Sequence, residues 1–429
     1  MILLSRIEIE GFRSIREAAI ENFGNLTVFA GLNNSGKSNV LRALNAFFNA
    51  ETDPGQPLDI DQDYYRPDLG KKKRKRIRVA VTFFLPREFK FRARLEPVEE
   101  LLGAGKFTIS KEWIRGRFLP SYYLNGNTLG YDDQQKVDQF LGLIKFRYIP
   151  NRVLPTELIR DEHQSLRDVL VRRLARRAKR DQVAFDAIQE ASDKLIQSLA
   201  QRFEQACPGQ GNVALATPTS WHDMAFTFGY RLARGGVEID DAAQGSGIQS
   251  LLMLETLYLI DRDYFQQFGW RQAAVWGVEE PESSLHSSLE ARVAAYLSSI
   301  STDRGSRLQI LCTSHSDLMI QYSDQPIITE QREGESVFDC GSSTRDALQR
   351  LSREGVSRWV HPLLFYPLDP VILVEGKYDC QYLEQALRLI KHSRRVRVTY
   401  LEELGVPGAS GGVPHLQRYI KDNRDVIRA

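Results

Sequence analysis

Eight consecutive residues, Gly31-Leu32-Asn33-Asn34-Ser35-Gly36-Lys37-Ser38, fit the spacing GxxxxGK[ST]. Glycines at both ends of such a loop let successive backbone N–H groups close around phosphate oxygens, and the positive end of a following helix dipole adds to their pull. Lys37 then neutralises the β- and γ-phosphates, while Ser38 offers its hydroxyl to Mg²⁺. Asn33, Asn34, Ser35 and Gly36 complete the cradle, so the expected ligands are ATP and Mg²⁺.

Two further segments place reactive side chains at strand ends. Ala273 to Val278 is apolar and runs into Glu279-Glu280-Pro281-Glu282. Carboxylates at such a point can hold Mg²⁺ and orient or deprotonate the attacking water, the role expected of Glu280. Glu279 stands where ATPases of this type usually carry an aspartate on the metal shell, so its extra methylene is a departure. Leu308 to Ser314 is a second apolar strand, delivering His315 at its end. Taken alone, His315 reads as a capped or core histidine; after a P-loop and an acidic strand it reads as a contact to the γ-phosphate.

The flanking patterns supply the elements these residues need. Leu26 to Ala30 is a continuous apolar strand, and Val40, Leu41, Leu44, Phe47 and Phe48 recur at the spacing of one buried helix face, with the helix starting at the glycine-lysine step. Lys71 to Arg78 is almost wholly basic and leads into a strand at 79–85; it is a solvated turn or a phosphate-contacting loop. Residues 157–206 contain no glycine or proline and predict a long helical insert. Seven basic residues between Arg167 and Arg180 leave three readings of it, a subunit-pairing arm, a solvated lid or a nucleic-acid-facing surface. After Glu330 the pattern is weakly periodic until a new strand, Val371 to Val374, opens a short final domain.

Bulk properties set outer limits. A chain of 429 residues predicts more than one domain. It is 42% hydrophobic and 26% charged, ordinary for a globular protein, and no apolar run approaches the length of about 18 residues that a membrane helix needs. The N-terminus lacks the layout of a secretory signal, so a cytoplasmic protein without membrane contact is expected. Cys207, Cys312, Cys340 and Cys380 are too scattered for a CxxC knuckle or a disulfide framework. A net charge of +2 gives no global attraction to nucleic acid.

Gly11-Phe12-Arg13-Ser14, the P-loop, Gln244-Gly-Ser-Gly-Ile-Gln249, Glu279-Glu-Pro-Glu with Leu285-His286, and Thr313-Ser-His315-Ser occur in an order that resembles the ABC-type ATPases of RecF/SMC and OLD (overcoming lysogenization defect) proteins. The resemblance spans most of residues 1–320. It implies that Ser246 and Gly247, with Gln249, are a signature motif reaching the γ-phosphate on an opposite subunit, although Ile248 replaces the usual second glycine. Backbone N–H groups at that helix start suit an anion. Gln62 is the positional choice for the family's Q-loop glutamine.

Val371-Ile-Leu-Val-Glu375-Gly376 resembles the opening of a TOPRIM domain, which implies a metal-binding or general-base role for Glu375. A nuclease of that kind also needs a later strand ending in Asp-x-Asp, and Asp422 and Asp425 have the wrong spacing in a helical-looking stretch. Either the site is completed beyond residue 429 or the fold has lost its catalysis.

The expected fold is therefore α/β: an ABC-type P-loop ATPase head with a long helical insert and a partial C-terminal TOPRIM-like domain. The boundaries are 1–156 and 208–330 for the two parts of the head, 157–207 for the insert, 331–366 for a linker and 367–429 for the last domain. The expected activity is ATP hydrolysis in an OLD-like nuclease or anti-phage defence system. Partners are a second copy held through heads and insert in a homodimer or higher homo-oligomer, DNA, and an effector protein. The alternative is a non-catalytic ATP-binding scaffold that sequesters a separate toxin or nuclease.

Overall fold

The computed structural model describes residues 2–68, 70, 75–85, 89, 91, 95–103, 105–151, 157–158, 162, 183–206, 208–209, 212–216, 229–234, 237–240, 245–268, 271–283, 285–303, 305, 307–353, 370–390, 396–401 and 412–422. The chain divides into two compact units, Met1–Val356 and Ser357–Ala429.

Two six-stranded sheets build the first unit. One is antiparallel, in the order β2-β1-β6-β7-β8-β9, from β1 (Leu4–Phe12), β2 (Ile15–Glu21), β6 (Arg76–Phe84), β7 (Lys106–Ile114), β8 (Ser121–Leu124) and β9 (Asn127–Thr128). The other runs β10-β14-β15-β3-β16-β17, from β3 (Leu26–Ala30), β10 (Ile144–Ile149), β14 (Ala273–Glu279), β15 (Leu308–Ser314), β16 (Gln325–Arg332) and β17 (Glu335–Asp339). All its neighbours are parallel except β16 and β17.

Both faces of this second sheet are covered, which explains why its strands read as continuous apolar runs. Phe29, Val275 and Leu311 face a core shared with α1 (Lys37–Asn49), α4 (Tyr131–Gly142) and the antiparallel sheet. Val28, Trp276 and Ile310 face the opposite core, filled by α5 (Val183–Ala206), α6 (Ser246–Phe268), α7 (Ser287–Thr302), α8 (Asp317–Tyr322) and α9 (Thr344–Arg353). Smaller elements complete the unit: α2 (Ile60–Asp63), α3 (Glu96–Leu102), a hairpin of β4 (Glu51–Asp53) and β5 (Gln56–Pro57), and a three-stranded sheet of β11 (Asn212–Ala216), β12 (Gly229–Arg234) and β13 (Val237–Asp240).

Lys111 on β7 is a charge inside the first core, only 6% exposed, with its ammonium over the Phe47 and Tyr122 rings. Burial pulls its pKa down from 10.5 to about 8, although Asp138 pulls the other way. Because the folded value lies below the unfolded one, the unfolded chain binds more protons between those two values, and stability rises as pH rises through that window. Native protein is expected to gain about 1–2 kcal/mol between pH 7.5 and 9.5 in urea unfolding, and Lys111→Met should flatten that slope. Equal slopes for the two proteins would refute the assignment.

The stretch 331–366, expected as a linker, is corrected over its first part. Residues through Arg332 extend β16, β17 pairs antiparallel with it, and α9 packs Ala347 and Leu351 into the helical core. Its weak periodicity has a physical cause: β17 is an edge strand, and its one buried polar residue, Ser336, bonds to the P-loop. The insert is seen in α5; the basic run Arg167 to Arg180, like Lys71 to Arg74, lies outside the described residues. Cys312 and Cys340 are free thiols, and Cys380 Sγ donates to the Val398 carbonyl at 3.3 Å. Among the described residues no helix is long and apolar enough to cross a membrane.

The first described element of the second unit is β18 (Val371–Val374), followed by α10 (Lys377–Leu389), β19 (Arg397–Tyr400) and α11 (Val413–Asp422). β18 and β19 are parallel, with Val371 opposite Arg397, and Val374, Cys380 and Val398 form a small core.

Candidate nucleotide site

The P-loop joins β3 to α1, and its two glycines are demanded by what surrounds them. A Cβ on Gly31 would lie 2.1 Å from the Thr329 carbonyl oxygen of β16. Gly36 has φ 97°, and its Cβ would fall 1.9 Å from Ser336 Oγ of β17. Ser336 Oγ donates to the Ser35 carbonyl at 2.7 Å and lies 2.7 Å from Ser14 Oγ, which accepts from Asn39 Nδ2 at 2.8 Å. Ser14 of the Gly-Phe-Arg-Ser segment thus fastens the first hairpin to the loop and to α1.

Lys37 is 5% exposed, and its ammonium donates to the Gly31 and Leu32 carbonyls at 2.9 and 2.8 Å. Burial lowers its pKa, against the opposing charges of Glu280 and Glu282. Ser35 Oγ is fully enclosed and without a hydrogen-bond partner. Buried hydroxyls are normally satisfied, so an orphan within this loop fits a site built for an added acceptor such as phosphate. Leu32, Asn33 and Asn34 are exposed, and Ser38 is half-buried in the first turn of α1.

Strand register brings the other groups to this edge. Glu279 lies opposite Thr313, Thr313 opposite Phe29, and Ser314 opposite Ala30, so Glu280, His315 and Gly31 leave three neighbouring strands at the carboxyl edge of the sheet. Such an edge is where open α/β sheets bind ligands. Glu280 adopts φ 41°, unusual for a residue with a Cβ, and its N–H donates to the Thr313 carbonyl at 2.9 Å. Its Oε2 accepts from Asn151 Nδ2 at 3.0 Å. Asn151 follows β10, the strand beside β14, and no motif in the sequence singled it out; its place two residues beyond the strand-like alternation Ile144 to Ile149 was the available signal.

Glu279 is 4% exposed and already engaged. Its Oε1 lies 3.1 Å from Arg42 Nη1 and accepts from the Tyr148 hydroxyl at 2.8 Å. Arg42 also pairs with Asp53 at 2.9 Å, and Asp53 lies 3.4 Å from Arg13 Nη2. Instead of standing open as a metal ligand, the Glu279 carboxylate is taken into an internal chain of alternating charge. Ser38, half-buried in the first turn of α1, carries an oxygen donor of the kind a hard cation such as Mg²⁺ takes. Glu282, given no role from sequence, accepts from Ser314 Oγ at 2.6 Å and from the His315 N–H at 3.0 Å.

The other expected residues lie elsewhere. Ser246 begins α6 and is exposed, and Gly247 lies close on Leu285 and Leu289, where a Cβ would come within 2.6 Å of Leu289 Cδ2. Gln249 follows in the same first turn, its N–H bonded to the Gly245 carbonyl at 3.2 Å. Gln62 is exposed in the short α2 and makes no hydrogen bond to the P-loop. Glu375 is exposed at the end of β18, and among the described residues no group of three or more His, Cys, Asp or Glu side chains converges on a metal position.

Known proteins share this arrangement in different measure. The chain is 32% identical over 113 residues to "Uncharacterized protein MJECL44" of Methanocaldococcus jannaschii, a match over 25% of this chain and 32% of that protein. It is 43% identical over 49 residues to "Uncharacterized protein MJECL10" of the same organism, covering 11% of this chain and 22% of that protein. The chain thus spans a third or less of the length of these relatives.

Among solved structures, the Smc head bound to the C-terminal winged-helix domain of ScpA superposes with TM-score 0.56 at 17% identity, over 78% of this chain and 96% of that one. The Smc head with an extended coiled coil bound to the C-terminal domain of ScpA, from Pyrococcus furiosus, gives TM-score 0.53 at 17% identity over 82% and 99%. At that identity the likeness is one of fold, an SMC-like ATPase head. The family match is broader in its claim: it runs over residues 26–320, from β3 to α8 and well over half of the chain, and the chain belongs to the P-loop ATPase family described as "AAA domain, putative AbiEii toxin, Type IV TA system".

Proposed function

We propose that this chain binds ATP with Mg²⁺ at Gly31 to Ser38 and hydrolyses it, as an ABC-type head that works in pairs. The carrying observation is the register that sets the P-loop, Glu280 and His315 on adjacent strand ends, with the Ser35 hydroxyl enclosed and unpartnered in the loop. Lys37 and the loop N–H groups would hold the phosphates. Ser38 would hold the cation, which when bound neutralises phosphate charge, while Glu279, the other candidate for the metal shell, is paired with Arg42. Glu280, held by Asn151, would orient the water and take its proton. His315 would contact the γ-phosphate.

Ser246, exposed at the start of a long helix, and Gly247 beside it would complete the site of a second copy, with α5 and the rest of the insert adding to that pairing. The family description and the SMC-like fold support an output that reaches another macromolecule, DNA or an effector protein in an OLD-like defence system. Glu375 at the end of β18, in a β-α-β unit, supports a TOPRIM-like second unit. A non-catalytic scaffold remains the second reading, favoured by the engagement of Glu279 with Arg42.

Lys37→Ala is expected to weaken ATP binding by about 100-fold, since the variant loses a buried cation that meets two phosphates. Titration calorimetry with ATP and Mg²⁺ measures this directly, and unchanged affinity would remove the P-loop reading.

A further inference from the structure

Glu282 is a 7% exposed carboxylate for which the hydrolysis scheme has no use. Its Oε1 holds the Ser314 hydroxyl and the His315 N–H and lies 3.5 Å from His315 Nδ1. Its Oε2 is enclosed and without a hydrogen-bond partner. A half-satisfied buried acid is costly, so a purely structural clamp would be served better by an amide or hydroxyl. Burial pushes the Glu282 carboxyl up, while Ser314 and the backbone pull it down. The other ionisable groups that feel its charge are Lys37 of the P-loop and the buried Cys312 thiol of β15.

The turn that carries His315 does not depend on Glu282 alone. The Ser316 N–H donates to Ser314 Oγ at 2.9 Å, and the Ser316 hydroxyl bonds Glu290 and caps α8. What Glu282 adds is a negative charge beside one nitrogen of a half-exposed ring. With Nδ1 turned to the carboxylate, Nε2 is the nitrogen left for another partner. A phosphate oxygen only accepts hydrogen bonds, so contact with it requires a proton on Nε2 while Glu282 holds the one on Nδ1.

We propose that Glu282 is a positioning residue that holds His315 through Nδ1–H and so presents Nε2–H to the terminal phosphate of the bound nucleotide. This rests on the ATPase reading above and assigns the acid two places beyond Glu280 a separate task.

The test uses the full chain labelled with ¹⁵N, whose seven histidines are resolved by ring-nitrogen spectra, the His315 signals being those lost in His315→Gln. With a non-hydrolysable ATP analogue bound, native protein should show His315 protonated at both ring nitrogens, and Glu282→Gln should leave the proton on Nε2 alone. Identical His315 spectra in the two proteins would overturn the proposal. In steady-state hydrolysis, Glu282→Gln should lower kcat by about 10-fold with KM for ATP unchanged within about 2-fold. In the His315→Gln background the same change should cost nothing further, whereas additive losses would mean that Glu282 acts independently of His315 and would overturn it too. Absence of hydrolysis by the native chain would count against the ATPase reading, while the spectra would still decide what Glu282 does.

Discussion

Replacing Glu280 by glutamine is expected to lower phosphate release by about 10²- to 10⁴-fold, the range that a positioned general base contributes, while ATP affinity changes by less than about 3-fold. Glutamine keeps the length of the side chain and can tolerate the same backbone, so Asn151 retains a carbonyl partner at nearly the same place. Only the capacity to take a proton is lost. ATP should therefore persist on the protein, and if closure of two heads needs unhydrolysed nucleotide, light scattering should show a dimer with ATP that does not decay. Single-turnover release at the native rate would exclude Glu280 from the role. Asn151→Ala should show a milder loss of about 10-fold in kcat, because the base remains but its orientation is no longer held.

The largest expected effect on stability comes from Asp261→Ala. Arg147 of β10 is fully enclosed; its Nε and Nη2 donate to Asp261 Oδ2 and Oδ1 at 3.0 and 2.6 Å, and Nη1 pairs with Glu162. Trp276 Nε1 of β14 donates to the same Asp261 at 2.8 Å. Burial opposes the charge on Arg147, but Asp261 and Glu162 outweigh it and push its pKa further up, so the guanidinium cannot escape by losing its proton. Removing Asp261 leaves a buried cation with one acid and an indole N–H with no acceptor, a loss of about 3–5 kcal/mol. Urea unfolding followed by tryptophan fluorescence measures it, and a loss below about 1 kcal/mol would refute the account. Arg147→Met with Asp261→Leu should recover part of the stability, since breaking such a pair costs more than replacing it with apolar packing, while the Trp276 N–H still lacks Asp261 as its acceptor. The pair also links α6, which starts at Ser246, to the two strands that deliver Asn151 and Glu280. In the double variant, signature-dependent stimulation of hydrolysis is the property to follow.

Much of the nucleotide edge was legible because each part is local. A strand, a glycine loop and a helix face occupy Leu26 to Phe48 without interruption, and the acidic and histidine strands declare themselves by apolar runs that end in a polar side chain. The order of those strands was not legible. Inserting β15 between β14 and β3, and setting Glu279 opposite Thr313, depends on pairing across hundreds of residues that no periodicity records. The reading of Glu279 as a metal ligand failed to foresee Arg42 for the same reason: the two are distant in sequence, and a helix position facing inward is normally apolar. Gln62 was a positional choice, whereas the side chain that reaches Glu280 is Asn151 after β10, a pairing set by which strand ends at that edge. The polar stretch after Glu330 read as a linker because an edge strand that serves a loop has no apolar alternation to show.

By itself, then, the order of residues determined that a phosphate-binding loop exists, that acids and a histidine end buried strands, and that a further strand lies at Val371 to Val374. Loop chemistry of this kind is set by glycine conformations and by the ammonium of a lysine within the loop, both encoded within a few neighbours. The tertiary structure alone decided which acid is free to act and which is held by Arg42, that Ser336 and Thr329 make Gly36 and Gly31 obligatory, and that Glu282 turns its carboxylate to His315. Those outcomes depend on distances between strands and helices brought together by burial of two apolar faces, and an ångström of separation is a quantity that a sequence does not contain.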